Sequence, residues 1–107
     1  MSFMKDYNPV VAKVEEFSNV TKRQMFGYSC YSINKKFFVG FSNKNNYQII
    51  VRLPKEKQQE AVKIKAVKPF SHGANKGWIE INSKLTTASG AMKWISHGFI
   101  YAQTLVK

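Results

Sequence analysis

Two runs rich in branched and aromatic residues, Tyr28 to Ile33 and Lys36 to Phe41, stand on either side of the dipeptide Asn34-Lys35. A two-residue polar connection between such runs reverses an extended chain on itself, so this segment reads as an antiparallel hairpin. The polar cluster Ser42-Asn43-Lys44-Asn45-Asn46 then supplies a second turn, made of residues that tolerate left-handed backbone angles. Tyr47 to Leu53 follows as the clearest strand, with Tyr47, Ile49, Val51 and Leu53 on one face and Gln48, Ile50 and Arg52 on the other. Three consecutive strands joined by short turns commit the chain to an antiparallel meander.

The segments on either side of the meander read mostly as helices. Asp6 and Asn8 precede Pro9, which the first turn of a helix accepts because the N–H it lacks has no partner there. Val10, Val11, Val14 and Phe17 form its apolar stripe, and Val20 to Met25 leads from it into the meander. Pro54 ends the Tyr47 strand and opens a second helix, Lys55 to about Ile64, after which Lys68-Pro69-Phe70 turns the chain into a loop ending at Gly77. Trp78 to Asn82 reads as a fourth strand. From about Thr87 to Leu105, Ala88, Met92, Ile95, Phe99 and Ala102 recur at helical spacing, interrupted by Gly90 and Gly98. Each of those glycines costs about 1 kcal/mol relative to alanine, so packing must hold that helix. The expected fold is a single α+β domain over residues 1–107, with two layers: an antiparallel meander plus a further strand, and helices on one face.

A chain of 107 residues that is 44% apolar can bury a core without staples. Its single cysteine, Cys30, excludes an intrachain disulfide and reads as a buried, inert thiol. No apolar run is long enough for a membrane span and none at the N-terminus resembles a signal peptide, so a cytoplasmic protein without membrane partners is expected. Charge is the other constraint. Seventeen Lys and Arg against six Asp and Glu give a net charge of +11, and no acid falls between Phe26 and Pro54. Such an excess attracts polyanions and acidic partners; it also serves plain solubility.

Several short motifs recur in a fixed order. Val20-Thr21-Lys22-Arg23 leads into Met25-Phe26-Gly27, followed by Lys36-Phe37-Phe38-Val39-Gly40 and Val51-Arg52-Leu53-Pro54. Lys68-Pro69-Phe70, Lys76-Gly77-Trp78 and Trp94-Ile95 complete the series. In that order and spacing, from about residue 5 to residue 106, the chain resembles the N-terminal domain of TfoX/Sxy proteins, bacterial regulators of natural competence. It departs from many members at Tyr28, where they carry a second glycine. The resemblance implies a two-layer fold like that of secretion-chaperone-like domains, and a regulatory or binding module that is not an enzyme. The family's namesakes act with the cyclic-AMP receptor protein on DNA-uptake genes and carry a further C-terminal domain that this sequence does not include.

Within those motifs, Met25, Phe26, Gly27, Gly40, Pro69, Phe70 and Gly77 read as structural. Met25 and Phe26 are expected to pack under the first helix, and Gly27 to supply a backbone angle or a close approach. Arg23 suits a bidentate clamp on a carboxylate or phosphate, or else an ion pair with Glu15 or Glu16. His72 and His97 lack partners at ligand spacing, no nucleophile has a base beside it, and no glycine-rich phosphate loop occurs, so neither catalytic residues, metal ligands nor cofactors are expected.

Two functions from different classes follow. In one, the domain modulates transcription through a protein partner, using aromatics such as Tyr28, Tyr31 and Tyr47 if one sheet face stays uncovered. In the other it binds nucleic acid directly and without sequence preference: Lys35, Lys36, Lys44 and Arg52 meet phosphates, while Tyr31, Phe38 or Tyr47 stacks on bases. Convergence of those cations on one face would favour direct binding; scatter would favour the partner. The exposed edge of a short sheet also allows a homodimer.

Overall fold

The computed structural model describes residues 3–25, 27–43 and 47–105. Three helices, α1 (Asn8–Glu15), α2 (Lys55–Ala61) and α3 (Ala88–Leu105), pack on one face of a six-stranded sheet. Its strands are β1 (Val20–Met25), β2 (Tyr28–Ile33), β3 (Lys36–Ser42), β4 (Gln48–Arg52), β5 (Val67–Pro69) and β6 (Trp78–Asn82). They run antiparallel throughout, in the order β1-β2-β3-β4-β6-β5. The α+β class, the meander and the helix-covered face agree with the sequence pattern. No helix among the described residues is long and apolar enough to cross a membrane.

Two elements differ from expectation. Val20–Met25 is a strand in its own right, pairing along its whole length from Val20↔Ile33 to Met25↔Tyr28. Its Thr21 to Gln24 are all exposed, so the apolar alternation that marks a half-buried strand is missing. Val67–Pro69 pairs with β6 where a turn was expected, which an edge strand permits because the proline N–H is not needed there.

The hairpin turn closes as its composition demands. Asn34 and Lys35 take φ values of 45° and 68°, the left-handed pair that matches strand twist in a two-residue loop. Just beyond it, the register shifts between Tyr31 and Ser32, whose partners are Val39 and Phe37. Phe38 is the extra residue, a bulge that turns both Phe38 and Val39 toward the helices.

Strand alternation sorts the remaining side chains. Tyr31, Ile33, Val39, Phe41, Ile49, Val51, Ile79, Ile81 and Val67 face the helices and form the core with Val10, Val14, Trp94, Ile95 and Ala102. Phe38 stacks on Phe17 at a ring-centroid distance of 6.3 Å and meets Phe99 edge-on at 5.3 Å. Helix α3 starts on Thr87, whose hydroxyl accepts from the Gly90 N–H at 3.1 Å. Its Gly98 lies directly on the sheet: a Cβ there would stand 2.8 Å from Val51 Cγ1 and 3.0 Å from the Arg52 carbonyl.

Candidate functional site: the uncovered face of the sheet

Among the described residues, none of the three helices covers the opposite face. Register places Thr21, Arg23 and Met25 of β1 on it, then Tyr28, Cys30 and Ser32 of β2, then Phe37 and Gly40 of β3. Gln48, Ile50 and Arg52 of β4, with Trp78 and Glu80 of β6, continue it. Gly40 lies between Cys30 and Ile50, and a Cβ there would come within 2.9 Å of Ile50 Cγ1 and 3.1 Å of Cys30 Sγ. The missing side chain therefore leaves the floor of this face low between two strands.

A hollow of about 630 Å³ opens over that floor, lined by Met25, Tyr28, Cys30, Phe37, Ile50, Phe70, His72 and Trp78. The loop after β5 forms one wall: Phe70 meets the Tyr28 ring edge-on at 6.0 Å and the His72 ring at 5.5 Å. That loop is fastened at several points. Phe70 N–H donates to the Trp78 carbonyl at 3.0 Å, and Gln58 Nε2 of α2 donates to the carbonyls of Ala74 at 2.8 Å and Trp78 at 3.3 Å. Gly77 completes it with φ 95° and lies against the Leu53 carbonyl so closely that no Cβ fits.

Burial pushes the Cys30 thiol upward, so at neutral pH it is a protonated, apolar floor group. Burial, and after it the charge of Glu80, also raise the Tyr28 phenol, which stays a neutral donor. The Tyr28 phenol and the His72 imidazole give an otherwise apolar hollow its polar points.

A second hollow of about 620 Å³ adjoins the first, lined by Asn19, Thr21, Arg23, Ser32, Asn34, Lys35 and Phe37. Phe37 belongs to both and divides them. No carboxylate lines either hollow. Glu80 lies instead in a smaller cleft of about 310 Å³ with Lys65, Lys68 and Gln48, and accepts from Gln48 Nε2 at 2.9 Å.

The structure separates the candidate residues. Arg23 and Lys35 come together in the cationic hollow. Lys36 follows Lys35 but falls on the helix side by strand alternation, opposite to Phe37. Arg52 lines neither hollow: its Nε donates to the Lys76 carbonyl at 3.2 Å and its guanidinium lies 5.8 Å from the Tyr101 ring centre. Lys44 lies outside the described residues. Arg23 forms no ion pair with Glu15 or Glu16; the ion pair among the described residues joins Lys57 and Glu60 at 3.3 Å.

The proposed stacking residues divide in the same way. Tyr31 is 2% exposed and Phe38 0%, both on the helix side, so neither offers a ring face to a base. Tyr31 donates to Glu15 Oε2 at 2.7 Å, and burial, followed by that bond and charge, holds its phenol well above the ordinary range. Tyr47 is half-buried at the far end of the sheet, 5.5 Å from the Tyr7 ring, with Lys84 Nζ 5.4 Å from its ring centre.

Among the motif residues, Gly27 has φ 81°, a backbone angle of the kind expected. Met25 lines the apolar hollow and does not pack under α1, because strand alternation from Arg23 puts it on the open face. Phe26 lies outside the described residues. Pro69 ends β5, while Phe70 is a wall of the hollow and not only a structural residue. Sequence reasoning passed over Phe37, Ile50 and Trp78; the alternation that placed Ile50 opposite Val51 was the signal available for it. A comparison with family models gives no match, and comparisons with curated proteins and with solved structures give none either.

Proposed function

We propose that this protein is a small basic binding module of the TfoX/Sxy N-terminal type, acting in transcription regulation through a protein partner, with the uncovered sheet face as its contact surface. The observation that carries the surface assignment is the aromatic hollow over Cys30 and Ile50, on the face that the helices leave bare. A contiguous apolar depression that survives on a protein with net charge +11 is the kind of feature that marks an interaction site. The regulatory role and the secretion-chaperone-like kinship both rest on the motif resemblance.

Direct nucleic-acid binding is the second reading, favoured by Arg23 and Lys35 sharing one hollow. It is the weaker one. Lys36 falls on the helix side, Arg52 is held to the Lys76 carbonyl outside both hollows, and two of the three proposed stacking rings are inside the core. The test is affinity capture from cells that express the protein, comparing the native chain with Phe37→Glu. Phe37 is half-buried and outside the core cluster, so this change alters the surface with least risk to folding. A transcription-associated protein retained by the native chain and lost from Phe37→Glu supports the proposal. Equal retention by both, or recovery of nucleic acid alone, overturns it.

A further inference from the structure

We infer that the uncovered face recognises an acidic, extended segment of a partner protein: one large aromatic side chain enters the apolar hollow while a carboxylate two residues away reaches Arg23 and Lys35. This inference rests on the protein-partner reading above and adds its chemistry. The apolar hollow, at about 630 Å³, has ample room for a bulky side chain, and Tyr28, Phe70 and Trp78 give it aromatic walls. Aromatic anchors in such pockets commonly dominate an interface. Immediately across Phe37 the surface changes from apolar to cationic, with Thr21 and Ser32 hydroxyls and the Asn34 amide beside the charges.

Charge complementarity selects the occupant. None of the six acids of the chain lines either hollow, and Glu80 lies in the neighbouring cleft with Lys65 and Lys68, so Arg23 and Lys35 have no carboxylate beside them in theirs. A cationic segment would be repelled here and an acidic one attracted. Lys35 adds a second, independent indication. At φ 68° it occupies the position of a two-residue hairpin loop that glycine fills at least cost, yet the chain holds a lysine there, beside the hollow. Geometry sets the spacing. Arg23 is in register with Cys30, one strand from the floor of the hollow. Alternate residues of an extended peptide lie ~7 Å apart on the same side, enough to cross Phe37 in one step.

A second copy of this chain is a poor occupant because it brings the same +11 charge. A nucleic acid is also a poor one: among the described residues, Arg23 and Lys35 line these hollows, while Lys36 and Arg52 do not.

The test is selection of a phage-displayed library of random short peptides on the native protein, followed by anisotropy titration of the enriched peptides carrying fluorescein. Enrichment of an aromatic residue with Asp or Glu two positions away is expected. The double variant Arg23→Gln with Lys35→Gln is then expected to weaken binding about tenfold, as loss of charge-assisted hydrogen bonds does. Changing the peptide's acid to its amide should cost the same on the native protein and nothing further on the double variant. A library selected on Arg23→Glu with Lys35→Glu should enrich basic residues instead. Absence of enrichment, peptides lacking either feature, or indifference to the double variant would overturn the inference. So would a fluorescein-labelled oligothymidylate that binds more tightly than the peptides and is lost in the same variant. If capture still separates the native chain from Phe37→Glu while the peptide selection fails, the partner reading stands and this chemistry falls.

Discussion

Tyr31 shows how one side chain can be misjudged when only its type is considered. On a sheet with two faces, an aromatic residue serves a ligand or the core according to parity, and the Tyr31/Ser32 bulge puts Tyr31 and Phe38 on the same covered side. The phenol then has a pH consequence. Its folded pKa is raised above the ordinary 10.0, chiefly by burial and then by the Glu15 hydrogen bond and charge. Between those two values the unfolded chain loses the proton and the folded chain keeps it, so stability falls as pH rises above about 10. Urea unfolding at neutral and alkaline pH should show that fall, and Tyr31→Phe should make it smaller. The same substitution should cost about 1 kcal/mol at neutral pH, because the bond to an exposed carboxylate is lost but no buried partner is orphaned. Cys30 is the converse case, foreseen as a buried thiol and found 4% exposed with a raised pKa. Its reaction with a neutral thiol reagent should be about tenfold or more slower in the folded protein than in urea, and slower again when the aromatic hollow is filled. Equal rates in the two states would place the sulfur outside the floor described here.

At the scale of elements, the hairpin, β4, β6 and α3 were legible because each carries its own local instruction. Asn34-Lys35 specifies a turn, Tyr47 to Leu53 alternates, and α3 repeats its apolar residues at helical spacing. Strand β1 carries none of these. It is an edge strand whose Thr21, Lys22, Arg23 and Gln24 are all exposed, so it is held by pairing with β2 rather than by burial of its own side chains. Strand β5 was read as a turn because Pro69 outweighed a single buried Val67. The two glycines of α3 separate propensity from packing. Gly98→Ala gains about 1 kcal/mol of helix propensity but drives a Cβ to 2.8 Å from Val51 Cγ1 and 3.0 Å from a backbone carbonyl. Overpacking of that kind costs about 1–3 kcal/mol, and the carbonyl cannot rotate away, so a net loss of stability is expected. Thr87→Ala should cost about 1 kcal/mol by leaving the Gly90 N–H without its cap. Thermal unfolding of the two variants checks both; a stabilised Gly98→Ala would mean that α3 does not lie against β4 as described.

For the whole molecule, the question is what a +11 charge does with two unequal sheet edges. Strand β5 is three residues long and ends in a proline, which blunts it. Strand β1 is longer, with six residues and an exposed middle, and is the edge through which a homodimer would form. Antiparallel pairing of Val20–Met25 with its own copy, in full overlap, would set Val20 against Met25, Thr21 against Gln24 and Lys22 against Arg23. The central pairs would then be cation on cation, which cross-strand neighbours oppose, and the remaining charge adds to that repulsion. The uncharged positions offer little in return, because Thr21 and Gln24 are polar and exposed. A monomer is therefore expected in sedimentation velocity at low ionic strength. Lys22→Glu reverses the central pairs to carboxylate against guanidinium on both sides of the two-fold axis. That variant should self-associate through β1, and added salt should dissociate it again by screening the pairs. A dimer of the native chain that tightens at low salt would show instead that the charge is compensated at another surface.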